Sequence, residues 1–257
     1  VALVLCVGHA VQDFVFTVPE LPTRGEKYRA SAFATVGGGP AATAAVAIAR
    51  LGGRARLATR LGDDSIADVV VAELERYGVD CTLVRRFPGR GTSLSAVMVD
   101  AAGERMIVNH LDAAMPREPD WLPSPEAIGA QAVLGDVRWP EGSRRALAAA
   151  RAARIPAVLD ADKPLPADAA VRDALLASAS HVAFSADGLA ELIGDRDPAR
   201  ALERVAATLD AWCCVTAGAD GVYTCSNGVL AHQPAYRVNV VDTLGAGDVW
   251  HGAFALA

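Results

Sequence analysis

The first seven residues, Val1 to Val7, form an unbroken apolar run stopped at Gly8, the pattern of a central parallel strand covered on both faces. Phe14–Val18 and Tyr28–Val36 are shorter, more polar and β-prone, set apart by Pro19, Pro22 and Gly25. They predict strands outside the main sheet. Ser93–Val99 and Arg105–His110, joined through Asp100 and Gly103, predict a hairpin that completes the same small sheet. Segments 14–36 and 93–110 thus read as a lid. Between them, Ala-rich Pro40–Leu51 closed by Gly52-Gly53 predicts a helix with a glycine stop.

Further strand and helix patterns then alternate. Leu57–Arg60 opens one unit, with a helix over Asp68–Tyr77. Ala132–Leu134, Ala157–Leu159, His181–Phe184 and Trp212–Thr216 read as strands, and Arg144–Arg154, Val171–Ser178 and Ala199–Leu209 as helices. This rhythm predicts an α/β domain built on a mostly parallel sheet. Gly221–His232 predicts a hairpin around Asn227-Gly228, Arg237–Val241 is β-prone, and Ala246–Ala257 begins an amphipathic helix. With no repeat or long linker, residues 1–257 read as one domain. The absent initiator Met and the abrupt end at Ala257 suggest missing termini, the C-terminal end in particular.

Composition narrows the function classes. A chain of 257 residues that is 52% hydrophobic can bury a large core. A net charge of -6 argues against a nucleic-acid partner, which calls for a basic face. The four Trp residues are dispersed and do not alternate with cations, so no stacking platform for single strands is expected. No uncharged stretch is long enough to span a bilayer. The five cysteines lack zinc spacing and read as reduced thiols, and the opening strand lacks a basic leader, so a cytoplasmic protein without a membrane partner is expected.

Three glycine-bearing segments can carry chemistry. In Asp242-Thr243-Leu244-Gly245-Ala246-Gly247-Asp248, the glycines allow close backbone approach, and the following helix offers unpaired amides and its positive dipole end to an anion. Gly245, Ala246 and Gly247 read as an anion hole, and Asp248 as a base for a substrate hydroxyl. The plain alternative is a glycine-bearing, Asp-capped helix start. Gly37-Gly38-Gly39-Pro40 again leads flexible backbone into a helix, suited to sugar hydroxyls or else an ordinary loop. Thr216-Ala217-Gly218-Ala219-Asp220-Gly221 follows a strand, where α/β ligands bind, and suits nucleotide phosphates or a simple turn. None of these is a Walker A or dinucleotide fingerprint.

Together, GGGPAATAAVAIARLGG, the RLGDD after it, and VVDTLGAGDVWHGAF resemble the paired signatures of the ribokinase-like (PfkB) family of carbohydrate kinases. The resemblance runs from Val1 to Ala257. It implies a three-layer α/β domain with a small β-sheet lid, and ATP-dependent phosphorylation of a sugar with Mg2+. It further implies that Asp248 is the base and that Gly245, Ala246 and Gly247 form the anion hole. Asp13, Gly37 and Gly38 are then expected to hold the sugar, and Thr216, Gly218 and Gly221 the nucleotide. Asp242 and Thr243 match positions that hold a monovalent cation, K+, in some members. The family's Asn-x-x-Glu element is replaced here by Ser185-Ala186-Asp187-Gly188. Ser185 is expected beside the nucleotide, and Asp187 or Glu191 acts on magnesium through water if either does.

A closer likeness is to the sulfofructose kinase branch, through Val36-Gly37-Gly38-Gly39-Pro40-Ala41-Ala42, Asp136-Val137-Arg138-Trp139, Ala183-Phe184-Ser185 and His232-Gln233-Pro234-Ala235. It implies an anionic ketose, 6-deoxy-6-sulfofructose first. Lys27, Asn109 and Arg138 are the expected contacts for its acidic end. Asp136 can alternatively hold Arg138 in a structural ion pair. Kinases of ribose, fructose, 2-keto-3-deoxygluconate or nucleosides, and a non-catalytic sugar or nucleotide sensor, are the competing readings. A nicotinamide-dependent oxidoreductase is disfavoured because GHAVQD follows the first strand. His9, His110 and His251 read as packing or hydrogen-bonding residues. Edge pairing of the lid sheet predicts a homodimer.

Overall fold

The computed structural model describes residues 1–162, 164–240 and 243–257. The apolar opening run becomes β1 (Leu3–Val7), fully buried between β4 (Arg54–Gly62) and β8 (Ala132–Asp136) and parallel to both. On the far side of β8 the sheet continues in parallel through β9 (Ala157–Ala161), β10 (His181–Ser185) and β11 (Trp212–Thr216). An antiparallel hairpin, β12 (Val222–Ser226) and β13 (Val229–Gln233), closes that edge, and β5 (Asp80–Phe87) closes the other. These nine strands form one sheet in the order β13-β12-β11-β10-β9-β8-β1-β4-β5.

The lid is a second sheet, ordered β3-β2-β6-β7, from β2 (Val11–Thr17), β3 (Ala32–Gly38), β6 (Leu94–Val99) and β7 (Arg105–His110). Helices cover both faces of the main sheet, giving three layers. One buried cluster joins α1 (Pro40–Arg50) and α2 (Ser65–Arg76) to one face. The other joins α3 (Pro140–Ala152), α4 (Ala169–Ser178), α5 (Ala186–Ile193) and α6 (Pro198–Ala206) to the opposite face. Asp64, Asp168 and Asp197 accept amide hydrogens at the starts of α2, α4 and α6, so these helices begin where an acidic cap stands. The last helix, α7 (Ala246–Leu256), lies against α1, where a Cβ on Gly252 would stand 2.5 Å from Ala44 O. Among the described residues, no helix is long and apolar enough to cross a membrane.

Three sequence expectations change. Residues 80–87 carry Arg85 and Arg86 amid partly exposed positions, which masks an edge strand, β5. The eight-residue α5 is too short to display a helical period and is defined by its ends, Ser185 accepting from Gly188 N and Gly194 in the left-handed region. The β-prone run from Arg237 is not a strand over 237–240: it lies past the last strand of the sheet, with Val238 72% and Val240 68% exposed. Val241 lies outside the described residues.

Candidate active site

The carboxyl ends of β1, β8 and β9 face the lid, and between them runs a cleft of about 710 Å3. From the lid come Asp13, Ser95 and Asn109, which are paired in register on three neighbouring strands and therefore share a face. Asn109 Nδ2 donates to Ser95 Oγ at 2.9 Å, and burial raises the Asp13 carboxyl above the usual range although Ser95 bonds it. Arg138, Gly245, Ala246, Gly247, Asp248 and Thr243 line the opposite wall. The cleft thus gathers Asp13, Asn109, Arg138 and the whole described part of the DTLGAGD segment.

The start of α7 is shaped by Gly245, whose φ of 71° places it in the left-handed region. Ala246 N donates to Thr243 O at 3.2 Å, so the tight turn already engages that amide. Among the described residues no backbone acceptor receives Gly245 N or Gly247 N, which leaves these two for an anion at the positive end of the helix. Asp248, in the first turn, has its carboxyl raised to about 7 by burial and by the like charge of Asp160, with His251 opposing. Behind it Asp160 Oδ2 lies 3.1 Å from His251 Nδ1, both residues almost fully buried.

Asp136 has a different task from the suggested ion pair. Its buried carboxylate accepts from the amides of His9 (2.7 Å), Ala41 (3.1 Å), Arg138 (2.9 Å) and Trp139 (3.3 Å). It staples the loop after β1, the start of α1 and the loop after β8 into one floor. Burial nonetheless pushes its carboxyl upward. His9, flanked by Arg138 and Arg60, is lowered to about 4 by burial first and by these cations, and stays neutral.

Other expected contacts fall elsewhere. Lys27 is exposed in the loop between β2 and β3 and does not line the cleft: the Pro- and Gly-punctuated segment before β3 leads it outward. Gly37 and Gly38 are adjacent on a strand and face opposite sides. A Cβ on Gly38 would stand 2.5 Å from Asp13 Oδ2, whereas one on Gly37 would stand 3.1 Å from Glu73 Oε2 on α2. Gly38 thus stands against the Asp13 carboxylate and Gly37 against Glu73, and both line a separate recess of about 220 Å3 rather than the cleft itself. Ser185, Thr216, Gly218 and Gly221 lie at the carboxyl ends of β10 and β11, outside the cleft but along the same sheet rim. Gly221 also packs within 2.1 Å of Gln233 O for any added Cβ, a structural reason for glycine there.

Asp187 and Glu191 stand one turn apart on α5 and line a shallow recess. Hard carboxylate oxygens so spaced fit magnesium held largely through its own waters. Asp242, half of the expected K+ site, lies outside the described residues, and Thr243 is exposed at the cleft. Asp160, Ser95 and the stapling role of Asp136 had no motif to reveal them, and His251, though inside VVDTLGAGDVWHGAF, had no partner in the sequence. They become legible only when β8, β9 and α7 are brought side by side.

The fold and cleft define a kinase of small molecules, and comparison with known proteins specifies it. The chain belongs to the pfkB family of carbohydrate kinases, whose profile matches residues 1–257. It is 28% identical over 268 residues to the deoxyribokinase of Salmonella typhi, covering 97% of this chain and 83% of that protein. It is 31% identical over 227 residues to a fructokinase of Klebsiella pneumoniae, covering 83% and 74% respectively. A crystal structure of a provisional ribokinase from Agrobacterium tumefaciens superposes with a TM-score of 0.92 at 35% identity, covering 99% of this chain and 83% of that one. The protein is therefore an ATP-dependent sugar kinase, a phosphotransferase with an alcohol group as acceptor. The curated relatives of this chain include kinases named for deoxyribose, ribose and fructose.

Proposed function

We propose that the sugar lies between the lid and the carboxyl ends of β1, β8 and β9, with Asp13 and Asn109 on its hydroxyls and Asp248 beside the hydroxyl that is phosphorylated. The observation that carries this reading is the half-buried Asp248 in the first turn of α7, raised to about 7, in one cleft with Asp13 and Asn109. A carboxylate of that affinity accepts a hydroxyl proton near neutral pH and still releases it. As the oxygen attacks the γ-phosphorus of ATP and the bond to ADP breaks, the amides of Gly245 and Gly247 face the charge on the transferring group. ATP then extends along the sheet rim toward Ser185, Thr216, Gly218 and Gly221. Magnesium would supply neutralisation of phosphate charge, with Asp187 or Glu191 reaching it through water, and Thr243 with Asp242 would be the place for K+.

The acceptor we favour is a ketose with an anionic group at its far end, 6-deoxy-6-sulfofructose first, because Arg138 lines the cleft opposite the lid. Lys27 is withdrawn from that contact set. The test is sugar-dependent ADP release with ribose, deoxyribose, fructose, fructose 6-phosphate and sulfofructose, in wild type and Arg138→Ala. Preference for an anionic ketose that Arg138→Ala abolishes supports the reading. Preference for a neutral sugar, with Arg138→Ala silent, removes the anionic part and leaves a ribose or fructose kinase. The lid's outer face, with Phe33 56% and Val108 58% exposed and pointing away from the cleft, supports a homodimer through the lid.

A further inference from the structure

Behind Asp248 sits a buried pair that phosphate transfer as outlined does not use. His251 is 2% exposed and Asp160 3%, and His251 Nδ1 lies 3.1 Å from Asp160 Oδ2. No hydrogen-bond partner meets His251 Nε2 among the described residues. The pair and the Asp248 carboxylate bring one donor atom each to within 4.8 Å of one another. Burying an ionisable pair is costly and a simple packing role would be met by apolar side chains. Its position explains the cost: His251 is one turn after Asp248 on α7, and Asp160 is the last residue but one of β9, which packs against that helix.

We propose that His251, held by Asp160, is a positioning residue that sets the charge around Asp248 and so the pH at which this base becomes active. The inference rests on Asp248 being the base. The charged neighbours are few. From β8 comes Asp136, from β9 Asp160, and from the loop after it Asp162, all acidic. From α1 no charged group faces the site, since Arg50 stands at its distal end. His181, beside Phe254 further along α7, has its affinity for a proton lowered by burial. His9 and Arg138 line the cleft beyond Asp248. His251 faces the carboxylates of Asp160, Asp248 and Asp162: they raise its affinity for a proton against burial, and in return it lowers that of Asp248. Without it the base would stay protonated further into the working range.

The test is the acid limb of kcat/KM in wild type, His251→Asn and Asp160→Asn, using the sugar preferred in the acceptor panel. Wild type should show a limb near the Asp248 value of about 7. Loss of the cation should move the limb up by roughly half to one unit, and loss of the Asp160 charge should move it down. Limbs that stay in place in both variants, with only kcat or thermal stability altered, would overturn the proposal. A second measurement needs no turnover: the His251 ring, followed by proton NMR, should titrate above its ordinary value in wild type and lower in Asp248→Asn. Equal midpoints would also overturn it. Retained turnover in Asp248→Asn is a separate outcome, which removes the base reading while the ring titration still reports the coupling.

Discussion

At the scale of the residue, Asp248 carries two opposed consequences. As a base it must be ionised, so kcat/KM should fall about tenfold per pH unit once pH drops below about 7. A rate profile flat down to pH 5 would assign the limb elsewhere. As a buried carboxyl it is a liability. Its folded pKa is raised above the ordinary 3.8, so its contribution to stability is greatest below that value and is lost as pH rises toward about 7. Asp248→Asn should therefore unfold later than wild type at pH 8, by about 1–3 kcal/mol, with the gain shrinking toward pH 4. Denaturant melts at the two pH values check the sign. Asp136 predicts the reverse: Asp136→Ala strands four amides, those of Ala41 and Trp139 fully buried, and should cost about 3 kcal/mol or more in the same melts.

At the scale of the element, the site depends on two helix starts, α1 and α7, held together at Gly252. A Cβ there would meet the backbone of Ala44 at 2.5 Å, so Gly252→Val should force the helices apart. A loss of about 2 kcal/mol in stability and a larger fall in turnover than in ATP affinity are expected, measured by thermal melting and calorimetry. This packing also shows what the sequence could reveal. Apolar β1 and the glycine-led starts of α1 and α7 were legible because composition and period act locally. The strand β5, with its paired arginines, and α5, eight residues long, carried no such period. Asp13 lines the cleft and Lys27 does not, since a loop between lid strands fixes no side-chain direction. Gly37 and Gly38 part company by alternation along β3, which allows only one of two neighbouring glycines to face Asp13. His251 read as packing or hydrogen-bonding, but its partner was not legible, because Asp160 is ninety-one positions away and meets it only through the order β9 beside β8 under α7.

At the scale of the whole molecule, the lid divides its two faces between tasks. Asp13, Ser95 and Asn109 face the cleft, while Phe14, Phe16 and Phe33 pack together on the other side. If copies pair through that outer face, light scattering should give twice the mass of one chain, and Val108→Glu should halve it. A single-chain mass for wild type would remove the dimer. On the proposed reading the main sheet supplies transfer chemistry, and the lid together with Arg138 selects the acceptor. The central claim concerns the first of these, and turnover of Asp248→Asn tests it most directly, with ATP binding measured alongside. Sugar-dependent ADP release lower by at least about a thousandfold at unchanged ATP affinity is the predicted result. Turnover within a few-fold of wild type would contradict it.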